Sequence, residues 1–172
     1  MFDLQEAQQR HQQLHLEHQF GDWRLSATGH FTHGEGYFEE FKGGEDLADY
    51  LLPDVVVGDD TVTTTDLVRR RWLDNDFYGA VLGAERRWDR AALTLGAAAN
   101  RYEGDHFGRV IWAENASTAG TPNYTYYDSD GLKLDRNVFA RFVQRSKDGR
   151  LQTQAELQYR GVRFETMGTD ND

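Results

Sequence analysis

Apolar and polar residues alternate with a period of two along most of the chain. In the run from about Gln8 to Phe20, Leu14, Leu16 and His18 share one parity, opposed by His15, Glu17 and Gln19. After Gly21-Asp22, Trp23, Leu25, Ala27, Gly29 and Phe31 alternate with Arg24, Ser26, Thr28, His30 and Thr32. This period predicts extended strands, and the Gly-Asp pair between them predicts a tight hairpin. From Arg71 to Trp88, Tyr78, Ala80, Leu82 and Ala84 oppose Phe77, Gly79, Val81 and Gly83. Beyond Asp89-Arg90, Leu93, Leu95, Ala97 and Ala99 oppose Thr94, Gly96, Ala98 and Asn100. A fifth run sets Val138, Ala140 and Phe142 against Arg141 and Arg145, then turns at Lys147-Asp148-Gly149. The last sets Leu151, Ala155, Leu157 and Tyr159 against Gln152, Gln154, Glu156, Gln158 and Arg160. The pattern predicts an all-β fold, an antiparallel up-and-down meander of about six long strands.

Short and long connections alternate strictly. The turns at Gly21, Asp89 and Asp148 are short, whereas Phe41–Thr65 and Glu103–Leu132 read as long polar loops. An outer-membrane barrel is wired this way, with short turns on one side of the bilayer and long loops on the other. A tilted membrane strand needs about 9–11 residues, so longer strands would project beyond the bilayer. The expectation is a partial transmembrane β-barrel. Its lipid face would be the Trp23, Leu25, Ala27 and Phe31 series, and its lumen face Arg24, Ser26, Thr28 and His30. Trp23 and Trp88, beside short turns, suit an interfacial aromatic girdle.

Composition agrees with a sheet that has two differently solvated faces. In 172 residues, hydrophobic types reach 38% while aromatics reach 13%, and 17 glycines accompany 2 prolines. Mean hydropathy is -0.76. The net charge of -10 argues against a nucleic-acid partner, since a polyanion would be repelled. There is no cysteine, hence no disulfide, thiolate metal site or cysteine nucleophile. No segment approaches the roughly 18 apolar residues of a membrane helix. The first residues, Met1 to Glu6, carry neither the basic stretch nor the apolar core of a secretory signal.

Several stretches resemble a known family. Arg69-Arg70-Arg71-Trp72-Leu73-Asp74-Asn75-Asp76-Phe77-Tyr78-Gly79 is similar to a barrel strand of TonB-dependent outer-membrane receptors, particularly those of Bacteroidetes-type bacteria. Asn100-Arg101-Tyr102-Glu103-Gly104-Asp105-His106-Phe107-Gly108-Arg109-Val110-Ile111-Trp112 resembles the strand and loop that follow. Gly34–Phe41, Tyr126-Tyr127-Asp128, Leu157–Arg160 and Gly168–Asp172 extend the resemblance over most of the chain. It implies a barrel of about 22 strands around a plug domain. It also implies a bacterial outer-membrane location, contact with membrane lipid, and energy coupling through TonB. The cargo would be a scarce nutrient such as a ferric siderophore, cobalamin, haem or a glycan. The chain would then be part of a longer protein, residues 1–172 supplying three barrel hairpins, with the plug, the TonB-binding segment and the remaining strands elsewhere. Extracellular-loop candidates for cargo contact are His106, Trp112, Tyr126 and Tyr127. No cofactor is implied.

Other chemistry is weaker. His11 and His15 share a strand face but stand about 13 Å apart, too far for one ion, and His30 and His33 have opposite parity. Asp128-Ser129-Asp130-Gly131 with Asp135 echoes a calcium loop, yet Phe139 occupies its twelfth position, where glutamate is required. Arg69–Arg71 and Asp74–Asp76 read as lumen charges pairing across strands. Ser26, Ser117, Ser129 and Ser146 lie in no nucleophile-elbow context, and the adjacent Glu39 and Glu40 point to opposite faces, so no enzyme is expected. The alternative function is a soluble meander that binds a small apolar ligand, with the apolar series turned inward.

Overall fold

A computed structural model describes residues 4–115 and 124–169. One sheet of six antiparallel strands dominates it: β1 (Leu4–Phe20), β2 (Trp23–Asp46), β5 (Thr64–Trp88), β6 (Ala91–Ala113), β7 (Tyr124–Arg145) and β8 (Gln152–Thr169). Between β2 and β5, a single 3-10 turn (Ala48–Tyr50) precedes a small hairpin of β3 (Val55–Val57) and β4 (Asp60–Val62). The main sheet follows chain order as a meander, with β1 and β8 outermost.

The expected alternation of short and long connections holds, but the strands run further than the apolar alternation revealed. β2 continues to Asp46 and β5 begins at Thr64, so both enter the expected Phe41–Thr65 loop. β6 continues to Ala113 and β7 begins at Tyr124, so most of Glu103–Leu132 is paired strand. His106, Trp112, Tyr126 and Tyr127 therefore sit on strands rather than on a loop. The reason is that backbone pairing continues where both faces are polar, and there a hydropathy alternation has nothing to report. The calcium-loop reading fails for the same reason. Asp128, Ser129 and Asp130 alternate along β7, so the two aspartates and the serine point to opposite faces. No metal-holding cluster exists among the described residues. Ser117 and the acidic Asp170–Asp172 lie outside the described residues.

Register places the alternating series in phase. Directly opposed residues share a face, so the row through Ala27 reads Leu16, Ala27, Leu82, Ala97, Val138 and Tyr159. The neighbouring row through Leu25 holds Ala84, Leu95, Ala140 and Leu157. The opposite face carries Arg24, Ser26, Thr28 and His30, with Gln13, Glu85, Thr94 and Asn100 among their cross-strand neighbours. The apolar rows are not covered: Leu157 is 78% and Leu14 65% exposed. At their short-turn end, the Arg86 guanidinium lies between the Trp88 and Trp23 rings, 5.1 and 5.9 Å from their centres.

The short turns step along the sheet. Trp23, which opens β2, faces Arg86, two residues before β5 ends at Trp88. Phe142, in that same row, stands three residues before β7 ends at Arg145. With the turns in one plane, a stagger approaching one residue per strand tilts the strands by roughly 30°.

Gly21 makes the first turn possible. Its φ of 58 is the left-handed value that a II′ hairpin requires at its first central position. Gly21→Val is expected to destabilise the β1–β2 hairpin by about 1–2 kcal/mol. Urea titration of the folded chain in detergent would read this as a lower midpoint.

Candidate functional site at the long-connection end

Buried apolar residues gather at one end of the sheet. Leu47 and Leu67 are fully buried, and Tyr50, Leu52, Val110 and Tyr126 complete the cluster. The β2–β5 connection delivers Leu47, Tyr50 and Leu52, and turns back through Leu51 in the left-handed conformation. Leu67 and Val110 come from β5 and β6, on the face that carries Arg24 and His30. The connection is therefore folded over the Arg24 face.

Local irregularities shape this cap. The ladder is regular along the apolar rows, and its shifts fall between Lys42 and Glu45, Val68 and Arg69, and Gly108 and Arg109. Each inserts an extra residue and re-aims side chains. At the last of them, a Cβ on Gly108 would meet both the Tyr126 and Tyr127 rings, so glycine makes room for both against the strand. Tyr126 packs at 4.8 Å from Tyr50 and at 5.0 Å, edge on, from Tyr127.

Two arginines face these phenols. Arg69 donates to Glu40 at 2.9 and 3.1 Å and to the Tyr50 hydroxyl at 3.0 Å. Tyr50 in turn donates to Glu45 at 2.7 Å. Burial alone would raise the Glu40 carboxyl, but hydrogen bonds from Arg69 and Lys42 outweigh it and hold the group below the usual carboxylate range. Burial and the bond to Glu45 push the Tyr50 phenol far up, and burial raises Tyr126, so both stay protonated. Arg71 is held more loosely, 3.4 Å from the Tyr127 hydroxyl and 5.8 Å from its ring centre. The set offers a cation and flat aromatic surface on one face, suited to an anionic or planar ligand.

The residues singled out from the sequence are distributed unevenly around this cap. Tyr126 and Tyr127 belong to it. His106 lies on the same face, one row away from Tyr127. Trp112 pairs with Val68 and is exposed on the opposite face. Arg24, Ser26, Thr28 and His30 share the cap's face but lie toward the short turns. Thr28 bonds His15 at 2.7 Å, and His30 bonds Asn100 at 2.9 Å while packing on Phe77. Tyr50 and Glu45 were not singled out from the sequence, and Glu40 was weighed there only as one of an adjacent carboxylate pair. The spacing of Leu47, Tyr50, Leu51 and Leu52 in an otherwise acidic stretch is the signal that marks them.

Arg69–Arg71 and Asp74–Asp76 are not lumen charges as a block. Arg69 and Arg71 lie on the Arg24 face, whereas Arg70, Asp74 and Asp76 lie on the Trp23 face beyond the apolar rows. There Arg70 pairs with Glu39 at 2.7 Å and Asp76 with His33 at 3.0 Å. The alternation of a strand splits any run of like charges between its two faces.

No protein-family model matches the chain, and no curated protein matches it.

Because the Glu40 carboxyl is held below its ordinary value, its contribution to the cap is present at neutral pH and is lost as pH falls through the lowered value. Acidification is expected to lower amide-exchange protection, taken relative to the intrinsic rate at each pH, at Leu47–Leu52 in the native sheet. Glu40→Gln should show low protection already at neutral pH and lose most of its pH dependence. Wild-type-like protection in Glu40→Gln would remove Glu40 from this role.

Proposed function

We propose that the chain forms wall strands of an outer-membrane active transporter of the TonB-dependent kind. Such a protein imports a scarce nutrient, with a ferric siderophore or cobalamin as representative cargo. The observation that carries this reading is the in-phase register. Six long strands present uncovered apolar rows on one face and polar residues on the other, with short turns at one end and long connections at the opposite end. Uncovered leucines and tyrosines are stable against hydrocarbon and costly against water. The Trp23–Arg86–Trp88 group supplies an interfacial anchor at the short-turn end. The roughly 30° tilt lies just below the 35–45° usual for membrane barrels.

On this reading the Arg24 face lines the lumen, and the cap of Tyr50, Tyr126, Tyr127, Arg69 and Arg71 overhangs its outer mouth. Cargo entering there would meet the loosely held Arg71 and the Tyr127 ring first. The plug, TonB and the remaining strands are the partners implied.

Leu82, in the middle of the apolar rows and 54% exposed, decides between lipid and water as the neighbour of that face. Leu82→Arg is expected to cost roughly 2–4 kcal/mol of folding into vesicles, and Arg24→Ala to be tolerated. Equal tolerance at both positions would overturn the assignment and favour a water-soluble meander.

A further inference from the structure

On the Trp23 face, four arginines stand at one level: Arg10, Arg101, Arg136 and Arg163. Each lies nine to eleven residues from the short-turn end of its strand, at Phe20, Ala91, Arg145 and Gln152. That is the length a tilted strand needs to cross the hydrocarbon layer. The stagger of the turns hides this in the row pattern, because Arg136 and Arg101 fall in different rows. Arg101 and Arg163 pair with Glu103 and Glu165. Arg10 and Arg136 make no ion pair or hydrogen bond among the described residues.

Below Arg136 runs a shallow groove of about 310 Å³. Ala80, Ala97 and Ala99 form its floor, and Leu82, Val138 and Tyr159 form its sides. The alanines are what make it a groove, since Gly29, Ala80 and Ala99 follow one another across a row while the larger Leu82, Val138 and Arg136 stand beside them. Arg136 lines its upper end, diagonally across the β6–β7 pair from Arg101. An arginine with no anion of its own, at the end of an apolar groove, is matched by an amphiphile with an acyl chain and an anionic head.

We propose that this groove binds a phospholipid of net negative charge from the surrounding bilayer, its acyl chain on the alanine floor and its phosphate on Arg136, with Arg101 beside it. This rests on the lipid-facing reading of the Trp23 face and adds a preference for a particular lipid class. The fork of a guanidinium suits two phosphate oxygens, and its long stem lets the charge reach the headgroup level.

The test uses the full chain folded in zwitterionic detergent micelles, titrated with phosphatidylglycerol and read by native mass spectrometry, with circular dichroism to report the sheet. Wild type is expected to hold phosphatidylglycerol in preference to phosphatidylcholine and to ignore glycerol 3-phosphate, which lacks the chain. Arg136→Gln should weaken lipid binding about fivefold, the effect of one surface arginine. Ala99→Phe should abolish it by filling the groove, while Arg24→Gln on the other face should change nothing. A folded sheet whose lipid binding is the same in wild type and Arg136→Gln overturns the lipid site and leaves the membrane reading standing. Binding of glycerol 3-phosphate as tight as that of the lipid overturns the groove's part in it. A sheet that forms equally well in buffer without detergent overturns both.

Discussion

Everything in this sheet depends on register being kept across five consecutive strand pairs. Side chains alternate faces with a period of two, so a slip of one residue in any pair would turn one strand's leucines into the polar face and its charges into the apolar one. The ladder is unbroken from the short turns through the apolar rows, and each of its shifts lies at the far end. Regularity and irregularity therefore serve different halves of the same strands. The regular half produces a surface, and the irregular half produces a packed cluster.

The two halves differ in how they are stabilised. Near the short turns the described residues form no second layer and the apolar rows stay exposed, so their favourable transfer needs an apolar environment outside them. At the far end, water is excluded by the chain itself. The β2–β5 connection lays Leu47 and Tyr50 onto Leu67 and Val110, and the buried polar atoms that result are answered by the Arg69, Glu40, Tyr50 and Glu45 chain of hydrogen bonds. Aromatic packing over glycine continues the same logic along the Arg24 face. Phe139 covers Gly96 as Tyr126 and Tyr127 cover Gly108.

The meander, its hairpins and the phase of Trp23, Leu25 and Ala27 were legible in the sequence because one face there is apolar and the other is not. The outer thirds of the strands were not. From Gly34 to Glu40, from Glu103 to Gly108 and from Tyr127 to Asp130 both faces mix polar, aromatic and glycine residues, so pairing is set by backbone bonds and cross-strand charges such as Arg70 with Glu39. A single-chain pattern does not encode such partners. For the same reason Asp128-Ser129-Asp130 read as part of a loop, though it is an ordinary stretch of strand. Tyr126 and Tyr127 were found by resemblance, but their partner Tyr50 is brought to them by a connection whose path no periodicity describes.

Charge along the Trp23 face is layered. His33 faces Arg10 at the arginine level, and past that level successive rows hold Asp76, Glu103 and Glu165, then Glu35, Asp74, Asp105 and Asp130. Burial, then the charges of Asp130 and Asp74, raise the Asp105 carboxyl above its ordinary value, so the carboxylates are close enough to repel one another. Part of the chain's excess negative charge is thus gathered on this face, past the arginines. Next comes a row of Tyr37, Trp72 and Phe107, with Arg70 and Arg109 stacked on its outer rings. On the reading proposed above, apolar, arginine, carboxylate and aromatic rows would each meet a different solvent as the sheet passes from hydrocarbon through a headgroup layer into water, and this order of rows is one of the observations that support that reading.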